Sequence, residues 1–184
     1  MPSEVSSKLN DHSHSLVDGA ELVTHNIFCV SWLPDFIIKR STHDNRVEGA
    51  RRFAEAIKQL GMQHIFYVPK KYAYQCPSGH EYVICEMLKN SQDAITLPDV
   101  KNIIKLAMVI GWQDSHRDNF FKLPNGLIAI IDTELTAIVP SGKDLKHKII
   151  KRMFCESGYT PDAKDYLYRH LHSTPPRKIV TKQH

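Results

Sequence analysis

Residues 111–135 read GWQDSHRDNFFKLPNGLIAIIDTEL. Five polar groups, Asp114, His116, Asp118, Asn119 and Asp132, crowd around two apolar runs. Carboxylates and an amide oxygen are hard donors, the kind that seat Mg²⁺ while phosphate oxygens and water complete its shell. Clustered carboxylates without a cation would repel one another and be costly to bury. The chemistry this set points to is metal-assisted work on phosphates.

Such groups act only if the chain brings them together. NFFKL and LIAII are joined by PNG, and the pair Asn125-Gly126 suits the positive φ of a hairpin turn. Asn119 stands where the first strand begins and Asp132 just past the end of the second, so the hairpin returns them side by side. Asp114 lies in the loop that enters the hairpin. Three acceptors are thus expected to converge at one end of a short antiparallel pair. An Asp-x-His-x-Asp zinc site at 114–118 would lack further ligands.

The flanking segments supply the frame. NIFCVSWLPDFIIKR reads as two strands around an LPD turn, the second closed by Lys39. Residues 45–61 read as a helix, with Asn45 at its start, Gly61 at its end and Val47, Ala50, Ala54 and Ile57 on one face. HIFYVPKKYAYQCPSGHEYVICEML returns to strands around a CPSGH turn. Pro98 and Gly111 bound a helix apolar nearly all round, which predicts burial. Two further helices are expected, over about 143–156 and from Thr160 to just before STPP. Residues 1–20 are polar and read as a flexible arm, its His12 and His14 at most weak metal binders.

In order and spacing, DSHRDN followed thirteen residues later by IID resembles the catalytic loop and metal-binding aspartate of the protein-kinase-like superfamily. The Asp-x-His-x-x-Asn form is closer to the small-molecule phosphotransferases, of aminoglycoside and choline kinase type, and to phosphoinositide kinases. FIIKR resembles the strand whose lysine, here Lys39, meets the nucleotide phosphates. The following helix would offer Glu55 to pair with it, in preference to Glu48. YVICEML resembles the strand entering the hinge, where backbone near Glu86, Met87 and Leu88 would face adenine.

The resemblance covers roughly residues 21–135. It implies an α+β, two-lobed fold: a small antiparallel-sheet N-lobe over 21–90 and a reduced, mainly helical C-lobe over 91–174, with a tail at 175–184. It implies an ATP- and Mg²⁺-dependent phosphotransferase acting on a small-molecule, lipid or protein hydroxyl acceptor. Asp114 would take or orient the acceptor's proton, His116 would hold the loop through hydrogen bonds, and Asn119 and Asp132 would bind Mg²⁺. Such transfer needs positioning and charge neutralisation more than covalent chemistry.

The pattern has departures. No glycine-rich loop precedes Lys39, Gly19 being the only glycine upstream of it. The metal aspartate sits in DTE, with Glu134 expected as a surface charge, and no activation-loop ending follows. Arg117 and Asp118 are also expected at the surface. A kinase-like module that binds nucleotide or protein without turnover is therefore the alternative.

Composition bounds these readings. The chain has 184 residues with 42% hydrophobic and 24% charged, ordinary for one globular domain. Four cysteines form no Cys-x-x-Cys pair, so a reduced compartment is expected. No secretory signal or membrane span is visible, which predicts a protein that stays in, or is delivered from, the cytoplasm. Residues 143–184 carry ten Lys/Arg against four Asp/Glu. That basic end is expected to be a solvated helix surface, with an anionic partner such as nucleic acid or a membrane as the competing use.

Overall fold

EYVICE is apolar over four consecutive residues because this strand is covered on both faces. The computed structural model describes residues 1–13, 16–17, 20–24, 26–40, 45–139, 142 and 144–172, with Thr24 and Thr136 by backbone alone. The order is α1 (Ser3–Asp11), β1 (Glu21–Thr24), β2 (Ile27–Cys29), β3 (Phe36–Arg40), α2 (Arg46–Gln59), β4 (Phe66–Tyr67), β5 (Lys71–Gln75), β6 (Glu81–Glu86), α3 (Leu97–Ile110), β7 (Phe120–Lys122), β8 (Ile128–Ile130), α4 (Leu145–Phe154) and α5 (Pro161–His172). The expected α+β architecture is present, an antiparallel sheet together with five helices that precede, interrupt and follow its strands among the described residues.

Five strands form one sheet in the order β1-β2-β3-β6-β5, every pair antiparallel. Side chains alternate across a sheet, and the register sorts them. Ile37, Cys85 and Lys71 form one row, and Ile27, Lys39 and Val83 the next, on the same face. The opposite face carries Ile38 and Ile84, both fully buried, with Tyr72 and Tyr74 packed nearby. α1 covers this second face.

That helix corrects the expectation of a flexible arm. Val5 and Leu9, one helical turn apart, are buried with Leu16 in the core that covers Ile38 and Ile84. Each such side chain contributes roughly 1.5–3 kcal/mol. Tyr74 Oη also donates to the carbonyl of Leu9 at 3.2 Å. His12 stacks on Trp32 at 4.2 Å and contacts the Lys8 carbonyl through Nδ1, so it is not a dangling metal ligand. His14, Gly19 and residues 175–184 lie outside the described residues.

A second, larger core holds α2, α3, α4 and α5. Trp112 is fully buried at its centre, edge-on to Phe53 at 5.2 Å and to Phe120 at 6.3 Å. α2 and β4 precede residue 90 in the chain but pack here: Phe66 and Tyr67 pair in parallel with β8, giving a β4-β8-β7 sheet. α3 starts at Thr96, whose N–H and Oγ1 both donate to Asp99 Oδ2, at 2.8 and 2.6 Å. It ends at Gly111 with φ +83, a backbone position L side chains rarely adopt. A Cβ there would also meet the Val139 carbonyl at 1.9 Å. Among the described residues no helix is long and apolar enough to cross a membrane.

Candidate active site

A cleft of about 320 Å³ separates the sheet from the hairpin end. Its roof is the sheet face just described: Ile27, Ile37 and Val83 are apolar, and Lys39 and Lys71 are cationic. Asn119, Phe121, Ile131 and Asp132 line the other side. Glu86, Met87 and Leu88 line it where the chain passes from β6 toward α3. Lys39, Asn119, Asp132 and the 86–88 segment, far apart in sequence, therefore share one cavity.

The hairpin does what its sequence predicts. Ile131 N–H donates to the Asn119 carbonyl at 2.9 Å, which fixes Asn119 beside the residue preceding Asp132. Asn119 is buried, and its Nδ2 donates to the Asp114 carbonyl at 2.7 Å and to Asp114 Oδ2 at 3.2 Å. That leaves its amide oxygen for another partner. Asp114 itself lines a neighbouring cavity rather than the cleft.

His116 departs from its expected hydrogen-bonding part. Its Nε2 is 3.6 Å from Asp114 Oδ1 and its Nδ1 3.8 Å from Asp118 Oδ2, beyond hydrogen-bond reach. The ring sits between two carboxylates and attracts them when protonated. The loop is held instead by buried Ser115, whose Oγ donates to the Ile149 carbonyl at 3.4 Å, and by Arg117. Arg117 is half-buried rather than a surface residue, and Nη1 donates to the Phe120 carbonyl. Asp118 is exposed, as expected, yet borders the cleft.

Glu55 does not pair with Lys39. It is exposed, and its Oε1 accepts from Gln59 Nε2 at 3.0 Å. The reason is helix phase: α2 buries Gly49, Ala50, Phe53, Ala56 and Ile57, which turns Glu55 to solvent. Glu48 is no substitute, because Arg51 and Arg52 hold it and lower its carboxyl pKa to about 2. α2 brings a cation to the cleft instead. Arg46 Nε stands 3.5 Å from Asp132 Oδ1, and Nη2 pairs with Glu134. Glu134 is thus half-buried in an ion pair and not a free surface charge.

Lys71 is a site residue that the sequence does not single out. Its side chain is 8% exposed, and Nζ donates to the Ile131 carbonyl at 2.7 Å and to Thr133 Oγ1 at 2.9 Å. Burial pushes its pKa down, with nearby Cys85 and Asp132 opposing. Thr133 passes the contact on, donating to the Arg46 carbonyl at 3.0 Å. A usable signal was the alternation in KYAYQ, which sends Lys71 to the face opposite Tyr72 and Tyr74.

In the 86–88 segment, Glu86 N–H donates to Lys70 O at 2.9 Å and Met87 N–H to Asp35 O at 2.8 Å. The Glu86 carboxylate accepts from Tyr67 Oη at 2.7 Å and from Lys70 N–H at 3.1 Å. Burial first, and then this carboxylate, push the Tyr67 hydroxyl up to about 12. Leu88 N–H makes no main-chain hydrogen bond among the described residues.

Among the described residues, no three His, Cys, Asp or Glu side chains are grouped to hold a metal. The donors that the hairpin brings together at the cleft are one carboxylate, Asp132, and one amide, Asn119. Asp132 Oδ1 is buried and accepts no hydrogen bond among the described residues. Two hard oxygens, one of them unsatisfied, fit an ion such as Mg²⁺ that keeps several waters and phosphate oxygens. No protein-family model matches the chain, and no curated protein matches it.

Proposed function

We propose that this chain is an ATP- and Mg²⁺-dependent phosphotransferase of kinase-like architecture, passing the γ-phosphate to a hydroxyl acceptor. The observation that carries the reading is the hairpin register. It sets Asn119 and Asp132 at one end of a cleft that Lys39 also lines. The element order supports it as well: an antiparallel sheet with a helix between its third and fourth strands, a linking segment, a helix, a polar loop and a hairpin. This is the order the kinase resemblance requires.

Each residue then has a physical task. Ile27, Ile37 and Val83 offer apolar surface to a base, and Leu88 N–H offers it a donor. Lys39 meets phosphate oxygens as a point charge. Asn119 and Asp132 would hold Mg²⁺, which neutralises charge on the transferring phosphoryl group and the leaving diphosphate. Asp114, held in place by Asn119, takes the proton of the attacking hydroxyl.

Asp114→Ala is expected to abolish transfer of labelled γ-phosphate while preserving the melting temperature within a few degrees. Folding survives because Asn119 keeps its 2.7 Å bond to the residue 114 main chain. Unchanged transfer would sink the assignment.

The second reading is a kinase-like binding module without turnover. Arg46 against Asp132, and the lack of a carboxylate from α2 in the cleft, favour it. It predicts partner binding that survives Asp114→Ala and Asp132→Ala together.

A further inference from the structure

Helix α4 buries Leu145, Ile149, Ile150 and Met153 on one side. Lys148, Lys151 and Arg152 stand three and four residues apart on the other, the spacing of a single helix face. All three line a second cavity, of about 640 Å³, whose wall includes Asp114. Arg152 Nη2 lies 3.9 Å from Asp114 Oδ1. The cationic face therefore meets the candidate proton acceptor in one cavity.

Charge bookkeeping within this cavity decides what it suits. Glu134 and Glu156 line it too and, with Asp114, would balance the three cations if all were paired. They are not: Glu134 is held by Arg46. Among the described residues the side chains of Lys148 and Lys151 have no hydrogen-bond or ion-pair partner, and that of Arg152 reaches only Asp114. Unpaired ammonium groups on a concave wall attract anions and hold phosphate oxygens through charge-assisted hydrogen bonds.

We infer that this cavity is the acceptor site and that the acceptor is a phosphate-bearing hydroxyl compound. Lys148, Lys151 and Arg152 hold its phosphate while its hydroxyl faces Asp114. The inference rests on the phosphotransferase reading and adds the acceptor class to it. The acceptor oxygen forms a bond to the γ-phosphorus of ATP, the bond from that phosphorus to the β–γ bridging oxygen breaks, and ADP leaves. The hydroxyl proton passes to the Asp114 carboxylate. The same chemistry fits a soluble polyol phosphate and a phospholipid headgroup.

The test uses the full chain and the variant K148Q/K151Q/R152Q, whose three changes are all at exposed positions. Thermal shift is read with inorganic phosphate, glycerol 3-phosphate, glycerol and Mg-ATP. Co-sedimentation is read with phosphatidylcholine vesicles with and without phosphatidylglycerol. Phosphate and glycerol 3-phosphate should stabilise the wild type and glycerol should not. In the variant their half-saturating concentration should rise at least about tenfold, the scale of one lost charge-assisted contact, while the Mg-ATP shift is retained. Sedimentation only with phosphatidylglycerol, lost in the variant, would identify a headgroup as the source. Equal phosphate binding by variant and wild type overturns the inference, as does binding lost in Lys39→Met instead. Phosphate binding on α4 with no Mg-ATP shift in the wild type overturns the acceptor role together with the phosphotransferase reading. A Mg-ATP shift with no anion bound overturns the inference alone.

Discussion

Arg46 Nε stands 3.5 Å from Asp132 Oδ1, and the same guanidinium pairs with Glu134. One cation from the start of α2 thus bridges Asp132, at the cleft, and Glu134, on the wall of the second cavity, and partly offsets charge that Mg²⁺ would otherwise meet at Asp132. Its side chain is 14% exposed, so the pair is only weakly screened by solvent. Arg46→Met should leave the two carboxylates facing each other and destabilise the fold by about 1–3 kcal/mol. Mg²⁺ should restore much of that loss and should bind the variant more tightly than the wild type. The measurement is melting temperature against Mg²⁺ concentration. A destabilised variant indifferent to Mg²⁺ would mean that Asp132 is an ion-pair partner and nothing more.

Gly49 sets how closely α2 approaches the segment after the hairpin. A Cβ there would lie 1.6 Å from the Thr133 carbonyl oxygen, a backbone atom that cannot swing aside. Gly49→Ala should push α2 and Arg46 outward, costing about 1–3 kcal/mol by overpacking and weakening Mg-ATP binding as well. Gly142→Ala, which meets nothing within 4 Å, is the control. Equal melting temperatures for the two variants would show that α2 is not seated as described.

Asp99 links α3 to the hairpin. Burial raises its pKa, but hydrogen bonds from Lys122 and Thr96 outweigh it, so the folded value lies below the ordinary one. Lys122 Nζ is 2.8 Å from Asp99 Oδ2. The sign follows from linkage: a carboxylate with a depressed folded pKa contributes stability above its unfolded pKa and loses it as pH falls through the folded value. Stability of the wild type should therefore fall in acid, and the fall should be shallower in Asp99→Asn. Parallel acid denaturation profiles would remove Asp99 from the account.

How much of this was legible follows from which contacts are local. The hairpin was, because a turn at Asn125-Gly126 leaves short strands only one way to pair, and Asn119 and Asp132 follow from it. Both flanks of α3 were, since Pro98 and Gly111 act on the backbone beside them. Glu55 was misplaced because α2 carries apolar residues at several phases, and only packing against α3 and Trp112 selects the face with Phe53 and Ile57. The expected stripe included Ala54, which is exposed. Lys71 was missed because a lysine starting a strand is usually solvated at its tip. Its burial depends on β5 pairing with β6 and on the return of residues 131–133 from sixty residues away. α1 hid behind serines, although Val5 and Leu9 carry the helical step.

The most direct test is the melting temperature of wild type and Asp132→Ala, each with and without Mg-ATP. A ligand binding only the native state at about a hundred times its Kd stabilises by roughly 2.7 kcal/mol, a shift of a few degrees for a chain of this size. That shift is expected in the wild type, dependent on Mg²⁺, and lost in Asp132→Ala. No shift in the wild type, or the same shift in both proteins, would contradict the claim that Asn119 and Asp132 form a metal-nucleotide site.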